Sequence, residues 1–153
     1  MVTIYPDKGT IDMAEEIAGA NVNRSYTLAA TNIAIFSFMM FFLYPRFEKG
    51  SINPYLFQCT LAAMAVSTFS LVLASILYYR SSVGRGMTDP ERMRNTRQAD
   101  GFWLVGYSVM FLGPCLVLFL VHLRVVALFW LALWLAYVLS VIGIFRQVRT
   151  PRS

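Results

Sequence analysis

The chain has 153 residues, of which 58% are hydrophobic and only 14% are charged, and its mean hydropathy is +0.58. This composition excludes an ordinary soluble domain and indicates a single domain embedded in a membrane, with no nucleic-acid partner. The two cysteines, Cys59 and Cys115, lie in apolar segments without CxxC or Cys/His spacing. We therefore predict neither a disulfide framework nor a metal site, and no cofactor.

Residues 1–24 form a polar tail that precedes the first apolar segment. Asp12 followed by Glu15 is a typical helix start, so we predict a short acidic helix that runs toward the membrane. The tail has no short apolar core before a small-residue cleavage site. We therefore expect no cleavable signal peptide, and the first span acts as the insertion signal.

Four apolar segments of about 20 residues each lack Asp, Glu, Lys and Arg: 25–44, 57–79, 102–121 and 125–145. Each has the length that a helix needs to cross a hydrocarbon core of roughly 30 Å. The last two are separated only by HLR at 122–124. One helix covering both would be roughly 65 Å long, so a turn is required there. The segments also lack the alternating polarity of a barrel, and we predict an all-α, four-span membrane domain at 25–145.

The arrangement of Lys and Arg predicts the topology. With four spans, the N-terminal tail, the loop 80–101 and the C-terminal tail 146–153 share one side and hold ten basic residues, against three in the other two connections. Basic residues stay cytoplasmic. We therefore predict two helical hairpins with both termini in the cytoplasm. Both a bacterial inner membrane and a eukaryotic cell membrane fit this sequence.

The first span carries polar residues toward its cytoplasmic end: Thr27, Thr31 and Asn32. These residues are candidates for the lining of a pore. Asn32 is the most polar side chain well inside the span. As a donor and acceptor in lipid, it also suits a hydrogen bond between helices and needs no further role.

Two spans have small residues at three- and four-residue steps, so each presents one small helix face. In the second span these are Thr60, Ala63, Ser67, Ser70 and Ala74; in the fourth they are Ala132, Ala136, Ser140 and Gly143. Trp130 and Trp134 point roughly away from the small face of the fourth span. Small faces let helices approach closely in lipid. We expect these faces to pack within one four-helix bundle or, alternatively, between subunits of a homo-oligomer or with other membrane subunits.

The loop before the third span has a helix start and a cluster of arginines. Thr88 or Asp89 can cap a helix, with Pro90 in its first turn and Glu91 at the capping-box position. The candidate contact residues are Arg85, Arg92, Arg94 and Arg97. Three interpretations remain open: solvated charge that only sets topology, contact with anionic lipid headgroups, or docking of the acidic tail helix.

The third span contains Gly113 and Pro114, which predict a kink because proline removes a backbone hydrogen bond. His122 follows in the outer turn, where we interpret it as a turn residue. ERMRN at 91–95 resembles the Arg-rich motif of four-span membrane enzymes of eicosanoid and glutathione metabolism. The match covers only these residues and precedes the third span instead of opening the second, so we assign no membership.

The apolar segments contain no ionisable acid or base. Embedded carboxylates usually mark proton relays and coupled transport, so we expect neither here. No pair of catalytic residues can be assembled either. The sequence favours a non-enzymatic membrane scaffold or accessory subunit. The alternative is a passive homo-oligomeric channel or uncoupled transporter for a small solute or ion, since conduction needs no embedded charge.

Overall fold

The computed structural model describes residues 8–83 and 87–149, which form four α-helices and contain no β-strand. The helices are α1 (Lys8–Glu48), α2 (Pro54–Val83), α3 (Asp89–Leu120) and α4 (Arg124–Arg149). Each of them contains an apolar stretch that is long enough to cross a membrane. The predicted all-α fold with four long apolar helices is therefore confirmed.

Two helices extend well beyond the predicted spans. α1 has 41 residues, so the helix predicted in the tail and the first span are one continuous element. At 1.5 Å per residue α1 is about 60 Å long, roughly twice the thickness of a hydrocarbon core. α3 likewise continues from the loop into the membrane without a break. In both helices the apolar segment therefore continues directly from a polar helical extension.

The connection between α1 and α2 is a tight turn. The amides of Gly50 and Ser51 donate to the carbonyls of Phe47 and Arg46 at 2.9 and 3.0 Å, and Gly50 has a positive φ of 68°. This pattern is the Schellman ending of a helix, which glycine adopts without strain. Asn53 then caps α2, because its Oδ1 accepts hydrogen bonds from the amides of Tyr55 and Leu56. The short turn makes α1 and α2 antiparallel neighbours.

The turn between α3 and α4 has the same geometry without a glycine. His122 takes the left-handed position with φ 63°, while its amide and that of Leu123 donate to Phe119 and Leu118 carbonyls. The chain thus reverses at the HLR sequence. His122 is exposed there as part of the turn.

α2 lies at the centre of the fold and packs on both α1 and α3, whereas the backbone of α4 approaches only that of α3 among the described residues. One apolar core joins α1, α2 and α3 near the α1–α2 turn and includes Met39, Phe57 and Leu120. A second core lies at the opposite end, around Ala74, Tyr78 and Ala99. The bundle is therefore well packed around α2 and open on the side of α4.

The orientation in the membrane can be tested by thiol labelling. After replacement of Cys59 and Cys115, single cysteines are introduced as Ser153→Cys in the C-terminal tail and Ser51→Cys in the α1–α2 turn. Because the basic residues favour cytoplasmic termini, an impermeant reagent added outside should label position 51 and not position 153 until the membrane is opened. Labelling of both positions from one side would contradict the four-span topology.

Candidate functional site: interhelical contacts and a membrane cavity

The small face of α2 is buried within the helical bundle. Thr60, Ser67 and Ala74 are fully buried and Ser70 is nearly so, while Ala63 is partly buried. Because α2 packs on both α1 and α3, these small side chains lie between helices of one chain. Phe69, two residues from Ser67, is 70% exposed and faces outward. In the structure this face of α2 therefore packs against the neighbouring helices α1 and α3.

α2 and α3 approach each other closely at Ser67 and Gly106. The Ser67 hydroxyl donates to the Gly106 carbonyl at 2.7 Å. A Cβ atom added at Gly106 would lie 2.9 Å from Leu71 Cγ and 3.1 Å from both the Leu71 nitrogen and the Ser67 carbonyl oxygen. Two of these three neighbours are backbone atoms, which cannot rotate away. Only glycine fits at position 106, a residue that the sequence analysis did not single out.

Asn32 of α1 is held by α2. Its Nδ2 donates to the Met64 carbonyl at 2.9 Å and to the Thr68 hydroxyl oxygen at 2.8 Å. The Thr68 hydroxyl itself donates to the Met64 carbonyl, so toward Asn32 it can only accept. This network fixes the orientation of the amide: the nitrogen faces α2, and Oδ1 accepts no hydrogen bond from the described residues.

The three polar residues predicted on α1 do not share one surface. Thr27 and Thr31 are exposed, and their hydroxyls donate to the carbonyls four residues earlier in the same helix, those of Asn23 and Thr27. Asn32, in contrast, is only 2% exposed and lies against α2. Within this chain these residues therefore form no common polar lining.

A polar contact joins α2 and α3 at the end of the bundle near the basic loop. The Tyr78 hydroxyl donates to a carboxylate oxygen of Asp100. Nearby, the guanidinium of Arg24 lies 5.2 Å from the centre of the Trp103 ring, within the range of a cation–π interaction. These contacts tie α1, α2 and α3 together where they leave the apolar region.

α4 packs on α3 through its tryptophan face. The indole nitrogens of Trp130 and Trp134 each donate at 2.8 Å to α3 carbonyls, those of Phe111 and Ser108. The Cys115 thiol also contacts the buried Ala127 carbonyl, at 3.4 Å. α4 therefore uses aromatic side chains and not its small face to hold α3.

The small face of α4 is left open by this arrangement. Ala132, Ala136 and Ser140 are exposed, and Gly143 is half-buried with open space where a Cβ would stand. The Ser140 hydroxyl donates to the Ala136 carbonyl within its own helix. The structure thus does not place this face against another helix of the chain, and packing against a partner stays a prediction.

A cavity of about 840 Å³ lies between α1, α3 and α4, in the half of the bundle near the α3–α4 turn. Nearly all of its lining is apolar, and Asn32 of α1 supplies the one amide side chain. Gly113, Pro114 and Trp130 contribute to the opposite wall. α3 is helical through Gly113 and Pro114, so this proline-containing turn shapes the cavity wall. The predicted kink there stays a prediction.

The basic loop contributes a structured start to α3. Thr88 is the N-cap, and its amide and hydroxyl donate to the Glu91 carboxylate at 3.2 and 3.0 Å. Arg94 and Arg97 are exposed and Arg92 is partly buried, while Arg85 lies outside the described residues. The side chains of the acidic tail, Asp12 and Glu15, are likewise outside the described part. Headgroup contact and acidic-tail docking therefore remain predictions.

Comparison with known proteins identifies no relative of this chain. No family model, no curated protein and no solved structure matches this chain. The four long apolar helices are those of a four-helix membrane protein.

Proposed function

We propose that this protein is a non-enzymatic accessory subunit or scaffold that binds a transmembrane helix of another membrane protein through the small face of α4. The observation that carries the proposal is the exposure of Ala132, Ala136 and Ser140 on a helix whose opposite face is already packed on α3. In lipid, exposed apolar surface alone does not drive association. Small residues do favour it, because they let two backbones come close enough for extensive van der Waals contact.

The rest of the chain supports a structural role. Polar side chains such as Asn32, Ser67 and Tyr78 are engaged in contacts between helices of this chain. The acid nearest to the third apolar segment, Asp100, accepts the hydrogen bond from Tyr78. Such contacts hold helices in place, which suits a rigid surface presented to a partner.

A passive channel built from several copies is the second candidate. It would need a polar axis, and the sequence offers Thr27, Thr31 and Asn32 for that lining. Thr27 and Thr31 are exposed and available to a neighbouring copy, but Asn32 is turned to α2. We therefore place the channel second to the accessory subunit.

The test is a bulky substitution on the open face of α4. Ala136→Leu should reduce co-purification of the partner by about tenfold, because a leucine keeps the two backbones apart at a cost of about 1–3 kcal/mol. The measurement is a quantitative pull-down of the tagged protein from native membranes in mild detergent, followed by mass spectrometry and by determination of the particle mass.

The matched control is Ala62→Leu, which makes the same change at an exposed position of α2. It should keep the partner, and both variants should keep the helical content and thermal stability of the wild type. Two results would count against the proposal. One is equal co-purification with Ala136→Leu and Ala62→Leu; the other is a wild-type protein that forms a closed homo-oligomer without any other protein.

A further inference from the structure

We propose that the cavity between α1, α3 and α4 binds a neutral hydrophobic molecule that carries a hydroxyl group, a long-chain alcohol in the broad sense. The proposal is independent of the association through the small face of α4. It rests on the volume of the cavity, the polar atoms in its wall and the side from which it opens.

The size of the cavity suits a small lipid or a molecule of similar size. Its volume of about 840 Å³ falls within the range of roughly 300–1,000 Å³ that is usual for pockets that bind small molecules. Side chains such as Met39, Leu43 and Val117 supply an apolar surface for a hydrocarbon body. These properties favour a hydrophobic ligand. They do not determine which polar group the ligand carries.

The polar group follows from the hydrogen-bonding atoms in the wall. Asn32 is 98% buried, lines the cavity and has both hydrogens of Nδ2 engaged by α2. Its Oδ1 is therefore the atom of this amide that a bound molecule can use, and a carbonyl oxygen can only accept. Trp130, the indole donor in the wall, already donates to the Phe111 carbonyl.

The acceptor character of Asn32 Oδ1 selects the polar group of the ligand. A carboxylate would face this oxygen atom without a donor, whereas a hydroxyl supplies the hydrogen that the buried amide oxygen lacks.

The position of the cavity indicates the route of entry. α1 and α4 form two of its walls, yet their backbones do not approach each other in the described part of the chain. Phe38 of α1 and Val126 of α4 line the cavity and are also exposed on the outer surface of the chain. A ligand can therefore enter sideways from the lipid without passing through water, with its hydroxyl directed to Asn32 and its hydrocarbon toward the bilayer.

Tryptophan fluorescence can measure this binding, because Trp130 is in the wall of the cavity. The probes are 9,10-dibromooctadecanol and its methyl ether, whose bromines quench tryptophan on close contact and which differ in the hydroxyl donor. Added to the purified protein in detergent micelles, the alcohol should reach half-maximal quenching at a mole fraction about fivefold lower than the ether. This comparison uses the wild-type protein, so it does not depend on the folding of a variant.

A substitution that fills the cavity locates the site. A Cβ at Gly113 meets nothing within 4 Å although the residue is buried, so Gly113→Leu places its side chain in the free volume. It should abolish saturable quenching by the alcohol. Gly101→Leu, an equally unobstructed but exposed position of α3 outside the cavity, should leave the quenching unchanged. Equal affinity for alcohol and ether, or equal quenching of both leucine variants, would overturn the proposal.

Discussion

Gly106→Ala should lower the stability of the protein by about 1–3 kcal/mol, the usual range for overpacking a buried contact. The added methyl group would lie 2.9 Å from Leu71 Cγ and 3.1 Å from backbone atoms of Leu71 and Ser67. α2 and α3 would have to separate, which also stretches the hydrogen bond from Ser67 to the Gly106 carbonyl. Thermal unfolding in mild detergent, followed by circular dichroism, measures the loss.

The control for this prediction is the same substitution five residues earlier. Gly101 is exposed in the same helix, and a Cβ there meets nothing within 4 Å. Gly101→Ala should therefore stabilise the chain by about 0.5–1 kcal/mol, because alanine loses less conformational freedom in a helix than glycine does. If Gly106→Ala, like Gly101→Ala, keeps or raises the unfolding midpoint, the close approach at Gly106 does not limit the packing.

The features that the sequence predicts well are those that depend on neighbouring residues or on the lipid. Charge-free segments of about 20 residues predict the four helices, because a bilayer of fixed thickness demands that length. Thr88, Pro90 and Glu91 predict the start of α3, since a capping box acts within one turn. HLR at 122–124 predicts the reversal, which lies at His122.

The contacts between distant residues could not be predicted in the same way. The hydrogen bond between Ser67 and Gly106 joins positions 39 residues apart, and nothing in the sequence near Gly106 names its neighbour. A periodic row of small residues shows that a helix can be approached closely, not which helix approaches it. For this reason the rows on α2 and α4 look alike in the sequence, although Ser67 is buried and Ala136 is exposed.

The cavity is a consequence of the same non-local packing. α4 contacts α3 through Trp130 and Trp134, and a cavity lies in the space between α4 and α1. Asn32 has an interhelical role on its α2 side and an acceptor on its cavity side. An asparagine at position 32 of the sequence is compatible with either role. Only the position of α2 shows that Nδ2 serves the contact between helices while Oδ1 has no donor among the described residues.

Ser67→Leu should also destabilise the chain, by about 1–3 kcal/mol, and it tests the small face of α2 directly. Ser67 is 0% exposed and its hydroxyl contacts α3, so the larger side chain has no free space beside Gly106. The loss should appear as a lower thermal unfolding midpoint of the single chain. It should not appear as a lower oligomer mass, because this face packs between helices of one chain.

Phe69→Leu is the matched control, since it introduces the same residue two positions away at a site that is 70% exposed. The unfolding midpoint of this variant should stay within the error of the wild type. Ser67→Ala separates the two contributions at position 67: it removes the hydrogen bond to Gly106 without adding volume, and should cost about 0.5–1.5 kcal/mol. Equal midpoints for Ser67→Leu and Phe69→Leu would mean that the face of α2 around Ser67 is turned to lipid, and that α2 and α3 are not held together by their small residues.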